Sequence, residues 1–140
     1  MEYNKPIFAA LFLLAAGALA EAAPVVSLAQ SKADAYLFAL GQIESAGNDH
    51  AKGRAGEISR YQALKRVWRE ATEAPYSSAT NPAVAERVVL CIIWNRLGKD
   101  INDIKPGEFA KAWHCPNAKR LNKEQRDYIK RFKNLCKKQN

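Results

Sequence analysis

Two acids and an amide stand close together in one stretch of this chain: Glu44, Glu57 and Gln62, within IESAGNDHAKGRAGEISRYQ at 43–62. Chemistry at a glycosidic bond needs a carboxyl that is still protonated near neutral pH, so that it can protonate the leaving oxygen. Burial produces such a group, because a low-dielectric setting disfavours the charged form and raises the pKa. Glu44 has the right setting: it closes an apolar helical pattern and is followed by a loop holding Gly47, Gly53 and Gly56. The competing reading is a helix-terminal acid in a surface ion pair, since structural carboxylates are perturbed too. No C-x-x-C or H-E-x-x-H spacing occurs, so neither a metal nor another cofactor is expected.

Elements must hold these residues in place. Ser31 is suited to cap a helix over Lys32 to about Ser45, in which Leu37, Leu40, Ile43 and Glu44 recur at helical spacing. At about 100° per residue, Glu44 projects within about 20° of Leu37, on or near the buried stripe. Residues 46–56 read as a loop, with a small turn or hairpin near 53–61. The stretch YQALKRVWREA at 61–71 reads as a helix with Leu64, Val67 and Trp68 inward. Asn81-Pro82 is a cap followed by a first-turn proline, opening a helix over 82–98. Its run VVLCIIW at 88–94 is apolar on every face, which predicts the buried central helix with Cys91 in the core. Pro106 opens a short helix reaching about Trp113. Asn122, with Gln125 placed for a capping box, opens the last one. There Tyr128, Ile129, Phe132, Leu135 and Cys136 form one stripe, and Lys123, Arg126, Lys130, Lys133 and Lys137 the other. The expected fold is all-α, about five helices around the 82–98 helix.

The 140 residues suit one domain. Lys5, the uncharged run IFAALFLLAAGALA at 7–20 and the small-x-small triplet Ala18-Leu19-Ala20 read as an export signal over 1–20. The preferred cut follows Ala20; one after Ala23 is less favoured, because Pro24 would follow it. Residues 21–31 then form a short leader and 32–140 the domain, exported to the periplasm or the medium, with no stable membrane insertion once the signal is gone. Net charge is +8, and residues 105–140 carry the whole surplus, with eleven Lys/Arg against three Asp/Glu. A basic exported protein fits an anionic cell wall better than genomic nucleic acid. Of three cysteines, Cys115 and Cys136 are the better candidates for a disulfide in an oxidising compartment.

Four segments, in order, resemble one family. Ile43-Glu44-Ser45 and Gly56-Glu57-Ile58-Ser59-Arg60-Tyr61-Gln62 are similar to the Glu-Ser … Gly-x-x-Gly-Leu-Met-Gln signature of soluble lytic transglycosylases and goose-type lysozymes. Ala112-Trp113-His114-Cys115-Pro116 falls where that family has Ala-Tyr-Asn-Ala-Gly, and Glu124-Gln125-Arg126-Asp127-Tyr128-Ile129 resembles its Glu-Thr-x-x-Tyr-Val. The resemblance implies a lysozyme-like fold, acting as a monomer on the β-1,4 bond between N-acetylmuramic acid and N-acetylglucosamine of peptidoglycan or a related amino-sugar polymer. It implies Glu44 as catalytic acid and then base, Ser45 orienting it or touching substrate, and Gln62 hydrogen-bonding substrate from the cleft wall. Tyr128 would reach the cleft near Glu44, and Trp113 would offer a flat surface to a sugar. For these two aromatics a plain core role stays open.

The chain departs from the pattern in its middle. Ser59 replaces the second glycine, and Arg60-Tyr61 replace Leu-Met. These three are read as substrate-facing, with Arg60 available to a substrate carboxylate. His114 stands where the family has Asn, able to bond substrate or to cap a helix end. Glu57 has no counterpart. Facing Glu44 across a cleft, it would activate a water for inverting hydrolysis; pointing to solvent, it would leave Glu44 alone to help an anhydro ring close. The alternative function is a non-catalytic wall- or glycan-binding module. A membrane-damaging role for the last helix is disfavoured by its single Phe, and a nucleic-acid module by export and the lack of a reader motif.

Overall fold

A computed structural model describes the chain from Ala23 to Gln139, with side chains from Lys32 onward. The expected export signal at 1–20 lies outside the described residues. Five α-helices are described: α1 (Ala23–Ser45), α2 (Lys65–Trp68), α3 (Pro82–Leu97), α4 (Pro106–His114) and α5 (Lys123–Lys137), with 3-10 turns at Tyr76–Thr80 and Ile101–Asp103. Strand pairing among the described residues is limited to two isolated antiparallel bridges, Lys52 with Ile58 and Ile58 with Ala63. They fold the expected small turn. The all-α expectation is met.

The starts of α3 and α5 follow from local chemistry. Asn81 Oδ1 accepts from Val84 N at 3.3 Å, Pro82 takes the first position, and α3 ends on Gly98 at φ 63°, the left-handed cap that glycine adopts without a Cβ penalty. At α5, Asn122 and Gln125 exchange bonds, side chain to backbone in each direction, at 2.8 and 3.0 Å. Two helices differ from expectation. The described part of α1 already runs from Ala23, so the leader over 23–31 is helical and Ser31 lies inside the helix rather than capping it. α2 is one turn rather than the whole of 61–71, because Ser59 and Gln62 take φ of +78° and +49° and the chain is still turning where a helix was expected to start.

The core has two apolar clusters. In the larger, α5 packs on α4 and α1, with Leu40, Phe109 and Phe132 at 0% exposure. Tyr36 meets Phe109 edge-on at 5.1 Å, Phe109 stacks on Phe132 at 5.4 Å, and Tyr36 Oη donates to Ile104 O at 2.8 Å. Each such ring contributes about 1.5–3 kcal/mol through burial. The smaller cluster gathers Trp68, Ala79, Val88 and Ile92. α3 stands between the two, giving Val89 and Ile93 to one and Val88 and Ile92 to the other. Its burial is not complete, however. Cys91 is an exposed thiol, not a core one, and Trp94 is 56% exposed. Arg87, Cys91 and Trp94 share an outward helix face that their apolar members concealed in the sequence. The expected Cys115–Cys136 bridge is not formed: both are buried free thiols.

Candidate active site

α1 ends where its backbone turns left-handed, at Ala46 (φ 53°) and Gly47 (φ 81°), and Glu44 sits half-buried just before that turn. The phenol of Tyr128, on the buried stripe of α5, donates to Glu44 Oε1 at 2.6 Å. Burial raises the Glu44 pKa above the ordinary carboxyl value. The Tyr128 bond and, more weakly and outside ordinary hydrogen-bond geometry, the Trp113 indole act to lower it; the Glu57 charge raises it again. The net direction is upward, as a general acid requires. Tyr128 is itself pushed far up, by burial first and then by the Glu44 charge, so it remains a hydrogen-bond donor throughout the useful pH range. His114 stacks flat on Tyr128, centroids 4.0 Å apart with 9° between the planes. Its covered face holds its pKa down, although the residue as a whole is exposed.

Glu44 opens onto a cleft of about 630 Å³. Glu57, Gln62, Trp113 and His114 also line it, so five residues expected at the site meet there, with Tyr128 bonded to Glu44. Glu57 Oε2 accepts from Ala55 N at 2.9 Å, and its carboxyl presses against the Gly53 Cα, where a Cβ would meet Oε2 at 2.2 Å. Gln62 lines the wall as expected, but its Nε2 is spent on Ser59 O at 2.7 Å and Ala51 O at 3.2 Å. It holds the loop closed and leaves Oε1 as its unspent group.

Four expected substrate contacts are corrected: none of Ser45, Ser59, Arg60 and Tyr61 lines this cleft. Ser45 Oγ donates to Arg60 O at 2.8 Å and accepts from Asn48 N at 3.1 Å, tying the end of α1 to the returning loop. Arg60 pairs with Asp49 through two bonds of 2.8 and 3.1 Å. Its stem crosses Gly41, where a Cβ would come within 2.8 Å of Arg60 Cγ and Cδ. Ser59 and Tyr61 are both 1% exposed, and Tyr61 belongs to the larger core cluster. The turn of the backbone at Ser59 and Gln62 sends these side chains inward, toward α1, rather than into the cleft.

Two arginines in the cleft lining, Arg66 and Arg96, were not anticipated from residue types and spacing. Arg96 bonds both Glu70 carboxyl oxygens at 3.0 Å and donates to Ala112 O at 2.7 Å and Trp113 O at 3.3 Å. It thereby satisfies open carbonyls at the end of α4 and fixes the backbone that carries Trp113. Its position in the last turn of α3 was visible, but its partners are long-range and left no sequence signal. Among the described residues no group of three or more His, Cys, Asp or Glu comes together as a metal site, and no helix is long and apolar enough to cross a membrane. Compared with known protein families, curated proteins and solved structures, the chain finds no match.

Proposed function

We propose that this chain is a glycosidase or lytic transglycosylase of peptidoglycan, cleaving the β-1,4 bond between N-acetylmuramic acid and N-acetylglucosamine with Glu44 as general acid. The observation that carries this reading is the Glu44 carboxyl, held protonation-prone by burial at the wall of an open cleft and oriented by Tyr128 at 2.6 Å. Further support comes from the loop. Gly56 and Ser59, which fall on the two glycines of the resembled signature, both take left-handed backbone, at φ +89° and +78°. Trp113 supplies an aromatic surface in the same cleft, as sugar faces require.

The reaction follows from these groups. Glu44 gives its proton to the leaving glycosidic oxygen as the bond breaks. Its carboxylate, stabilised by the Tyr128 hydroxyl, recovers a proton from solvent when Glu57 is the base that takes the attacking water's proton, and from the substrate's own 6-hydroxyl when an anhydro ring closes instead. Glu57 decides which hydroxyl attacks. It lines the same cleft, and only its Oε2 is tied to backbone, so its other oxygen is open to a water. That arrangement favours hydrolysis over closure of a 1,6-anhydro ring.

Digestion of purified peptidoglycan tests the reading. Wild type is expected to release soluble fragments whose ends are reducing and one water heavier than anhydro ends by mass spectrometry. Glu44→Gln should release about a thousandfold less. Retained activity in Glu44→Gln removes Glu44 from its role, and binding to wall without fragments assigns the protein to the non-catalytic binding class. Anhydro products, with Glu57→Gln fully active, would put the chemistry on Glu44 alone.

A further inference from the structure

The two arginines of the cleft are not equivalent. Arg96 is saturated by Glu70 and two carbonyls. Arg66 is exposed in the cleft lining, and among the described residues nothing hydrogen-bonds or ion-pairs with it. Its backbone is nonetheless held. α2 is anchored by Trp68, 1% exposed, whose Nε1 donates to Ala74 O at 3.0 Å and whose ring meets Tyr76 edge-on at 6.3 Å. Two residues along a helix amount to about 200°, so the anchor that buries Trp68 turns Arg66 the other way, into the cleft beside Leu64 and Val67.

The charge balance gives this position a meaning. Glu44 and Glu57 both face the cleft, and Glu70 already neutralises Arg96. Even with Glu44 in its protonated, acid-donating form, Glu57 is left as an uncompensated cleft charge, and without Arg66 it would disfavour an anionic sugar relative to a neutral one. Arg66 is also absent from the charges that act most on Glu44, which are those of Glu57 and Arg131, so it is placed for another part of the ligand than the bond being cleaved. A guanidinium offers a planar fork that matches a carboxylate through two parallel bonds. That is the role expected of Arg60, which the structure commits to Asp49 instead.

We propose that Arg66 is the specificity-determining residue of the cleft, selecting glycans whose sugars carry a carboxylate, on a lactyl ether or a peptide stem, over neutral N-acetylglucosamine polymers. This rests on the glycan-cleaving reading above. Binding tests it without need of cleavage. Intrinsic tryptophan fluorescence, with Trp113 in the cleft, is titrated with a soluble peptidoglycan oligosaccharide, with the same oligosaccharide after its carboxyls have been amidated, and with a chitin oligosaccharide of equal length. Wild type is expected to bind the carboxylate form roughly tenfold more tightly than the amidated one, the scale of one charge-assisted pair. Arg66→Ala should lose that preference while binding the amidated form as before. Arg66→Lys, which keeps the charge and loses the fork, should fall between. Equal binding of the carboxylate form by wild type and Arg66→Ala, or no preference in wild type, overturns the inference. Selective binding without fragment release leaves Arg66 in its role and removes the catalytic reading. Cleavage of wall and chitin alike, without preference, does the reverse. Failure to bind any of the three overturns both.

Discussion

The two ends of the stretch from Glu44 to Gln62 are polar for opposite reasons. At one end Glu44 is half-buried, meets a single strong donor in Tyr128 and opens onto a cleft. Its polarity is left partly unsatisfied, which disposes it to exchange a proton. At the other end Ser59, Arg60 and Tyr61 look equally chemical in the sequence, yet their groups face inward. The Arg60 guanidinium is engaged by Asp49 and its backbone carbonyl by Ser45, and Ser59 and Tyr61 are sealed from solvent. A polar side chain whose bonding is complete builds structure; one left with spare capacity at a cavity can act on a ligand. Substitutions at the two ends should therefore separate, with activity falling at Glu44 and Tyr128 and stability falling at Arg60.

The largest effect is expected at Glu44. Glu44→Gln should lower fragment release by about a thousandfold or more, given what general acid catalysis contributes, and should also raise the melting temperature at neutral pH. The sign follows from the raised pKa. A carboxyl with a higher pKa folded than unfolded binds more protons in the folded state, so stability is lost as pH climbs from the unfolded value to the folded one. A neutral amide removes that cost. Melting curves between pH 4 and 8 check it: the wild-type curve should fall with pH relative to the variant, and parallel curves would mean that Glu44 is not desolvated.

Tyr128→Phe comes next, with about a tenfold loss of activity. The Tyr128 hydroxyl favours the charged form of Glu44, so its removal raises the Glu44 pKa further. The alkaline limb of the pH–rate profile, where the acid loses its proton, should move to higher pH. A limb that stays in place while activity falls would reduce Tyr128 to a packing role.

Legibility in the sequence followed the range of the interactions. The caps at Asn81 and Asn122 are local exchanges within a few residues, so residue types and spacing were enough to read them. Glu44 could be placed because helical geometry fixes its direction relative to Leu37; that Tyr128 reaches it was implied by the family resemblance, with which the inward-facing α5 stripe agrees. The loop was not readable in the same way. Two residues with positive φ, Ser59 and Gln62, redirect every side chain between them, and neither is a glycine that would have announced it. Reading 61–71 as one helix hid Arg66 for the same reason, by making it an ordinary solvent-facing position. Cys91 and Trp94 misled by composition: apolar types at exposed positions make one face of α3 look like the others.

The structural end of the comparison yields smaller numbers. Arg60→Ala should cost about 1–2 kcal/mol, since the ion pair is partly open to solvent and screened while the stem packing over Gly41 is lost as well. Activity per folded molecule should stay near wild type; a drop with unchanged stability would put Arg60 back in the cleft. The smallest effect is at Ser59, and it discriminates most finely. A non-glycine residue at φ +78° carries a backbone cost of about 1 kcal/mol, and the Ser59 hydroxyl returns only a long bond, accepting from Tyr61 N at 3.4 Å. Ser59→Gly relieves the strain but gives the unfolded chain more freedom, so the net change in chemical denaturation should be within about 1 kcal/mol of wild type. Ser59→Val, which adds volume at a position 1% exposed and, being β-branched, worsens the backbone fit, should destabilise clearly. If Ser59→Gly instead unfolds the loop, the hydroxyl rather than the backbone shape is what the position needs, and its match to a glycine of the resembled signature would lose its physical basis.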